Sequence, residues 1–327
     1  MISSLPKFFR QFFIGCALLI LCTSCGFMTS LEKSPWEVVQ LPTEATVLDI
    51  SFVSKDHGWL TGARSTLMET FDGGKTWEPR TLDLGDTVYR FDSISFSGDE
   101  GWIVGAPSIL LHTENAGQSW SRIPLSAKLP GNPLMVVASG PHTAEMTTNV
   151  GAIYKTEDDG RNWNATVQEA FGVLRSVNRS PEGKYVAVSS RGSFYSIWNP
   201  GEVSWDPHNR NNSRRVQNMG FDPQGHLWML ARGGQIQFSN DSNEWDEAIT
   251  PDRSVSVGLL DLAFRTPEEI WVAGGSGNLL CSLDGGKTWL KDRSTADIPS
   301  NFYRVLFQSP DQGFVLGQSG ALLRYVG

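Results

Sequence analysis

The octapeptide Thr70-Phe71-Asp72-Gly73-Gly74-Lys75-Thr76-Trp77 returns as Ser282-Leu283-Asp284-Gly285-Gly286-Lys287-Thr288-Trp289. Two looser copies stand between them, Thr113-Glu114-Asn115-Ala116-Gly117-Gln118-Ser119-Trp120 and Thr156-Glu157-Asp158-Asp159-Gly160-Arg161-Asn162-Trp163. Trp205 and Trp245 end two degenerate copies, and Trp36 stands alone near the start. The seven tryptophans at 36, 77, 120, 163, 205, 245 and 289 are 41, 43, 43, 42, 40 and 44 residues apart. A period of about 42 residues with four short apolar runs per unit is the signature of a β-propeller blade.

Each unit divides into strands a to d. In the first they are Val47 to Phe52, Gly58 to Gly62, Thr66 to Thr70 and Trp77 to Leu82. In the second they are Phe91 to Phe96, Gly101 to Gly105, Ile109 to Thr113 and Trp120 to Leu125, and Leu259 to Phe264 and Ile270 to Gly274 open a later one. The last unit supplies Phe302 to Phe307, Gly313 to Gly317 and Ala321 to Val326, and then the chain ends without a fourth strand. Trp36 to Leu41 reads as a fourth strand without a blade of its own. The pattern therefore predicts an all-β, seven-bladed β-propeller over residues 36–327, closed by the N-terminal strand pairing into the last blade. Closure leaves few exposed strand edges, and a monomer is expected.

The repeated turn resembles the Asp-box of sialidases and other propellers, which joins strands c and d at the outer rim on one face. Its Asp can accept backbone N–H groups of its own turn, Gly supplies a corner with positive φ, and Trp packs between blades. Asp72, Asp158 and Asp284 are accordingly read as structural, which says much about fold and little about function.

Composition agrees. Of 327 residues, 40% are apolar, enough for a large core and against disorder, and 33 glycines with 12 tryptophans suit short strands and tight turns. The N-terminus is separate. Lys7 and Arg10 precede the apolar stretch Phe12 to Leu21, which is too short for a stable membrane span of about 20 residues. Residues 1–24 read as an export signal ending Leu21-Cys22-Thr23-Ser24-Cys25-Gly26. This resembles a bacterial lipobox, with Cys25 as the lipidated N-terminus of the mature chain and 25–35 as a linker. Cys22 stands where the motif usually has Leu; the other reading is a plain secretory signal. Lipidation would anchor the protein to a membrane without spanning it. Loss of residues 1–24 removes two basic residues and no acid, taking the formal charge from −8 to −10 and arguing against a nucleic-acid partner. Cys281, in an apolar strand, gives no disulfide framework.

No enzyme signature is present. The histidines at 57, 112, 142, 208 and 226 lack metal-ligand spacing, so no metal site and no cofactor are expected, and no G-x-S-x-G elbow, P-loop or dinucleotide fingerprint occurs. Arg122-Ile123-Pro124 has the look of a sialidase arginine motif, but it follows Trp120 on an outermost strand and reads as an edge charge. The informative pattern is basic. Residues 171–215 hold Arg175, Arg179, Lys184, Arg191, Arg210, Arg214 and Arg215 against Glu182, Glu202 and Asp206. Arg64, Arg191 and Arg232 occupy equivalent b–c loops, where other blades have Pro107, Val150, Ser276 and Ser319; Arg90, Arg214 and Arg215 enter strands a, with Arg175 and Arg304 slightly further in. Because successive strands alternate in direction, d–a and b–c loops emerge together, opposite the Asp-boxes. The arginines are expected to gather on that face near the channel, where they would attract a carboxylate or an acidic peptide.

Over residues 36–327 the chain resembles the photosystem II assembly and stability factor of cyanobacteria and chloroplasts. The likeness rests on the seven Asp-box-type units, the basic middle blades, the lipoprotein-like start and two paired phrases. These run from Asp49-Ile50-Ser51-Phe52 to Gly58-Trp59-Leu60-Thr61-Gly62 and from Ser93-Ile94-Ser95-Phe96 to Gly101-Trp102-Ile103-Val104-Gly105. The resemblance implies a non-enzymatic propeller on the lumenal side of the thylakoid membrane. It would bind the precursor of a reaction-centre core subunit through an arginine patch and promote early assembly. Carried onto this chain, the patch falls on Arg175, Arg191, Arg214, Arg215 and Arg232. The alternatives are an Asp-box glycoside hydrolase and a generic exported adhesion propeller.

Overall fold

The computed structural model describes residues 28–167, 172–210, 213–239, 244–251 and 258–327; the expected signal segment and Cys25 lie outside them. Strand β1 (Trp36–Val39) comes first. Blade 1 is β2 (Val47–Phe52), β3 (Gly58–Gly62), β4 (Leu67–Thr70) and β5 (Glu78–Pro79). Blade 2 is β6 (Arg90–Ser97), β7 (Glu100–Ala106), β8 (Ile109–Thr113) and β9 (Ser121–Arg122). Blade 3 is β10 (Pro133–Gly140), β11 (Thr143–Thr148), β12 (Ile153–Thr156) and β13 (Asn164–Val167). Blade 4 is β14 (Leu174–Arg179), β15 (Tyr185–Ser189), β16 (Phe194–Trp198) and β17 (Asp206–Asn209). Blade 5 is β18 (Val216–Phe221), β19 (Leu227–Ala231) and β20 (Gln235–Ser239). Blade 6 is β21 (Leu259–Phe264), β22 (Ile270–Gly274), β23 (Leu279–Ser282) and β24 (Leu290–Lys291). Blade 7 is β25 (Phe302–Ser309), β26 (Gln312–Gly317), β27 (Leu322–Tyr325) and, completing it, β1.

The seven-bladed, all-β fold is as the sequence predicts, including the closure: Trp36, Glu37, Val38 and Val39 pair antiparallel with Tyr325, Arg324, Leu323 and Leu322. Blade 5 is the exception. Among the described residues its fourth position holds a single antiparallel bridge between Ile236 and Ile249, where the Trp245 turn is most degenerate. Strands b such as β3, β19 and β22 are buried at every position, because each is covered on both faces by neighbouring blades and so reads as a continuous apolar run. Strands d are short, and β5 and β9 are exposed, as suits a rim.

Aromatic wedges join the blades. Trp120 meets Trp59 of the preceding blade edge-on at 5.8 Å and 85°, Trp163 meets Trp102 at 5.8 Å and 84°, and Trp36 meets Trp271 at 5.2 Å and 88°. The box glycine makes room for this contact. A Cβ at Gly117 (φ 88°) would lie 2.3 Å from the Trp59 ring, and one at Gly74 (φ 83°) 2.6 Å from the Phe314 ring. Glycine is required there twice over, by backbone sign and by space.

The box carboxylates serve their own turns. Asp72 Oδ1 accepts the N–H groups of Lys75 and Thr76, and Oδ2 accepts the Thr76 hydroxyl at 2.7 Å. Asp284 repeats this with Thr288, and Asn115 does the same work uncharged, accepting the Ser119 N–H. Partial burial raises the Asp72 pKa, but the bonds from Thr76, Thr70 and Lys75 outweigh it and hold the group at about 2. The hydroxyl and N–H of Thr288 likewise hold Asp284 at about 2.

Residues 28–35, read from sequence as a linker, run along the outer edge of blade 6. The Leu31 N–H donates to Lys291 O at 3.0 Å, the Lys291 N–H donates to Thr29 O at 2.9 Å, and Ser34 Oγ donates to Asp292. Met28 packs onto the core shared by blades 5 and 6.

Trp36→Ala should cost about 3–5 kcal/mol in chemical denaturation, since it empties a buried aromatic site at the ring closure; a loss under about 1 kcal/mol would contradict the wedge. A second test is pH. The Asp72 and Asp284 pKa values are depressed on folding, so their contribution is full above about pH 4 and is lost as pH falls towards 2. The stability gap between the parent and an Asp72→Asn/Asp284→Asn variant should therefore close over that interval; a gap independent of pH would contradict it.

Candidate functional site

Strand direction alternates within each blade, so the Asp-boxes and a–b turns share one face and the b–c and d–a loops share the other. The basic residues of blades 4 and 5 meet on the second face through backbone contacts between those loops. The Val216 N–H donates to Gly192 O, and the Arg232 N–H donates to Arg215 O, both at 2.9 Å. A Cβ at Gly192 would sit 3.1 Å from Arg215 Cβ, and one at Gly233 would sit 2.6 Å from an Arg214 guanidinium nitrogen. Arg191, Arg214, Arg215 and Arg232 thus form one exposed cluster. Arg175, also exposed, is held at its edge by Ser190 O at 2.8 Å and Gln217 Oε1 at 3.1 Å.

Arg210 supports the cluster from beneath. It donates to Arg214 O at 2.8 Å and to Gln237 Oε1 at 3.0 Å, and its burial lowers its pKa. The sequence counted Arg210 as charge without giving it this role. Val173, 59% exposed, adds an apolar contact beside the cluster; its carbonyl accepts the Ser190 N–H.

The acids of the same window lie elsewhere. Glu202 sits in the c–d loop, capping Asn199, and Glu182 sits in the a–b turn before Lys184, both on the opposite face. Asp206 is on the outer strand β17 with His208. Among the described residues no acid pairs with Arg64, Arg191, Arg215 or Arg232. Among the described residues Arg191, Arg215 and Arg232 thus carry positive charge without an acidic partner, on a chain that is acidic overall.

The other three expected arginines are placed differently. Arg64 is exposed in the β3–β4 loop with φ 57°, and its neighbour Ser65 donates to Tyr89 O of blade 2. Arg90 lines a cavity at the channel mouth with Thr46, Leu48, Ala63 and Tyr303, and it pairs with Asp92 at 2.8 Å. Burial raises the Asp92 pKa to about 6, against the pull of Arg90. Arg304 departs most from the expected free charge. Its guanidinium lies 2.7 Å from buried Asp49 inside the ring, so it joins blade 7 to blade 1.

The reason is a β-bulge repeated near the start of every strand a, which turns the following residue sideways towards the next blade. At that position Asp49 accepts the Ile94 N–H at 3.0 Å, Asp261 accepts the Val305 N–H at 3.0 Å, and Asn218 donates to Asp261 at 2.9 Å. Burial raises the Asp261 pKa to about 6, although Arg304 and two backbone N–H groups pull it down. These acids are engaged in joining strands. Arg122 is an exposed residue of β9, as expected, and stacks 5.7 Å from the Tyr89 ring. Cys281 is fully buried, and burial pushes its thiol pKa up.

A family model described as photosynthesis system II assembly factor YCF48 matches residues 28–326. The photosystem II assembly protein Ycf48 of Thermosynechococcus vestitus is 61% identical, over 97% of this chain and 93% of its own. The chloroplastic photosystem II stability/assembly factor HCF136 of Oryza sativa is 46% identical, over 90% of this chain and 82% of its own. A solved structure titled "YCF48 bound to D1 peptide" has a TM-score of 0.90 at 60% identity, over 92% of this chain and 100% of that one. With the ring, the boxes and the basic face in place, the chain belongs to the Ycf48 family of photosystem II assembly factors.

Proposed function

We propose that this protein is a non-catalytic assembly factor. It holds a newly made photosystem II reaction-centre subunit through Arg191, Arg214, Arg215 and Arg232, with Arg175 at the edge of the contact. The observation that carries the reading is the exposed cluster on blades 4 and 5, where among the described residues no acid pairs with Arg191, Arg215 or Arg232. The planar guanidinium fork suits carboxylates of an extended segment, and Val173 offers it an apolar footing. The peptide bound to the 60%-identical relative supports a client from the reaction centre. The non-enzymatic reading is supported by the employment of the acids: Asp49 and Asp261 join strands, and the box carboxylates close their own turns.

Lipidation at Cys25 would hold the protein at the lumenal side of the thylakoid membrane, and relatives named as lipoproteins support such an anchor. Two residues lie between Cys25 and Met28, so the three residue steps reach about 10 Å at most. Because Met28 to Ser34 are docked on blade 6, the tether would keep that rim, rather than either face, beside the bilayer. The basic face would then remain open to a client in the same membrane.

Reversal of Arg191, Arg215 and Arg232 to Glu should abolish capture of reaction-centre subunits from solubilised membranes, read by mass spectrometry. The thermal melt should stay nearly unchanged, because none of the three pairs with an acid among the described residues. Arg122→Glu, on an outer strand, should leave capture intact. Equal capture by the parent and the triple variant would overturn the assignment.

A further inference from the structure

The expectation of no metal site rested on spacing along the chain, and the fold brings together residues that spacing keeps apart. At the boundary of blades 2 and 3, on the Asp-box face, Glu100 and His112 of blade 2 meet His142 and Asp159 of blade 3. His112 Nε2 is 3.1 Å from Glu100 Oε1, and His142 Nδ1 is 2.5 Å from Asp159 Oδ1. Donor atoms of Glu100, His112 and Asp159 all lie within 4.8 Å of one another.

We propose that Glu100, His112, His142 and Asp159 form a divalent-cation site of the zinc type that clamps blade 2 to blade 3. Two imidazoles and two carboxylates are a donor set suited to Zn2+ rather than to Mg2+ or Ca2+, which favour all-oxygen shells. A tetrahedral ion with arms of about 2.0–2.1 Å needs donors about 3.4 Å apart, so Glu100, His112 and Asp159 must draw together and the His142 ring, now bonded to Asp159, must swing in to join them. His142, with its side chain 66% exposed, is free to make such a shift.

The surroundings orient the donors. The His112 ring is 5% exposed and stacks on Trp102 with centroids 3.9 Å apart, fixing its plane. The His142 backbone N–H donates to Glu100 Oε2 at 2.6 Å, which leaves Oε1 for the centre. Arg161 lies 3.6 Å from Asp159 Oδ2, on the oxygen turned away from His142. Such outer contacts set the direction and basicity of metal ligands. Without an ion the four groups make two hydrogen-bonded pairs; binding would displace the shared protons.

The repeat supplies an internal control. Where blade 3 has Asp159, the equivalent turns carry Gly73, Ala116 and Gly285, and where it has His142 they carry Asp56, Asp99 and Glu268. Both His142 and Asp159 stand at φ 62°, a backbone region that side chains of this size enter at a cost. Blade 1 has a comparable pair, His57 and Glu69 at 2.8 Å, but there Arg80 takes the second Glu69 oxygen at 2.6 Å and the next blade has Asp99 and Ala116 in place of the His142–Asp159 pair.

The test is titration of the untagged, EDTA-treated protein with Zn2+ alone, followed by calorimetry and thermal melting. One Zn2+ per chain and a raised Tm that EDTA reverses are expected. Asp159→Gly, which restores the residue of the boxes at Gly73 and Gly285 and relieves its backbone, and His142→Asn should each weaken Zn2+ binding by at least about tenfold. His57→Asn should not. Absence of stoichiometric binding, or binding unaffected by Asp159→Gly and His142→Asn, would overturn the site, as would a larger response to Ca2+ than to Zn2+.

Discussion

A ring of wedges holds its shape only if every wedge is pressed against the next and the first is joined to the last. Here the pressing element is an aromatic edge, the box tryptophan of one blade against the strand-b ring of the blade before it, with a glycine at the one point where a Cβ would collide. The join is the pairing of Trp36–Val39 with Leu322–Tyr325, in which Trp36 supplies the same edge contact to Trp271 that Trp120 supplies to Trp59. The closing strand therefore completes both a hydrogen-bonded sheet and a wedge. Nearer the axis, the side chains after the strand-a bulges add a polar seam: Asp49 to Ile94, Asp261 to Val305 and Arg304 to Asp49.

This architecture divides chemistry between faces with little cost to the core. Loops on the Asp-box face are tied down by their own carboxylates and hydroxyls. Loops on the other face lack that repeated carboxylate, and some of them can carry unpaired charge. In blades 4 and 5 they carry arginine, while the acids of that stretch are placed on the opposite face or the rim. A chain of net negative charge thus presents one positive patch, which gives a client direction and register as well as attraction. The field at the patch, and not the sum over the chain, governs encounter.

The strands were legible because each is a short apolar run bounded by turn residues. β2, β3, β8, β21 and β22 begin and end where the sequence pattern puts them. Closure was legible from the one tryptophan without a blade and the one blade without a fourth strand. The single bridge that edges blade 5 among the described residues was not, because a degenerate repeat carries no positive mark of a weakened last strand. The gathering of Arg191, Arg214, Arg215 and Arg232 followed from strand alternation alone. The diversion of Arg304 to Asp49 did not, because it depends on a bulge that alternation cannot show. The docking of residues 28–35 and the meeting of Glu100, His112, His142 and Asp159 were hidden for a common reason: each joins segments distant in sequence whose contact exists only once the blades are stacked.

Where a client touches the disc decides between its two faces. Hydrogen exchange of the protein with and without a D1-derived peptide reads that contact without altering any residue. Protection is predicted in the loops around Ser190 to Gly192, Arg214 to Val216 and Arg232 to Gly234, with the Asp-box turns at 72–77 and 284–289 unchanged. Protection confined to the Asp-box face, with those three loops exchanging as in the free protein, would contradict it.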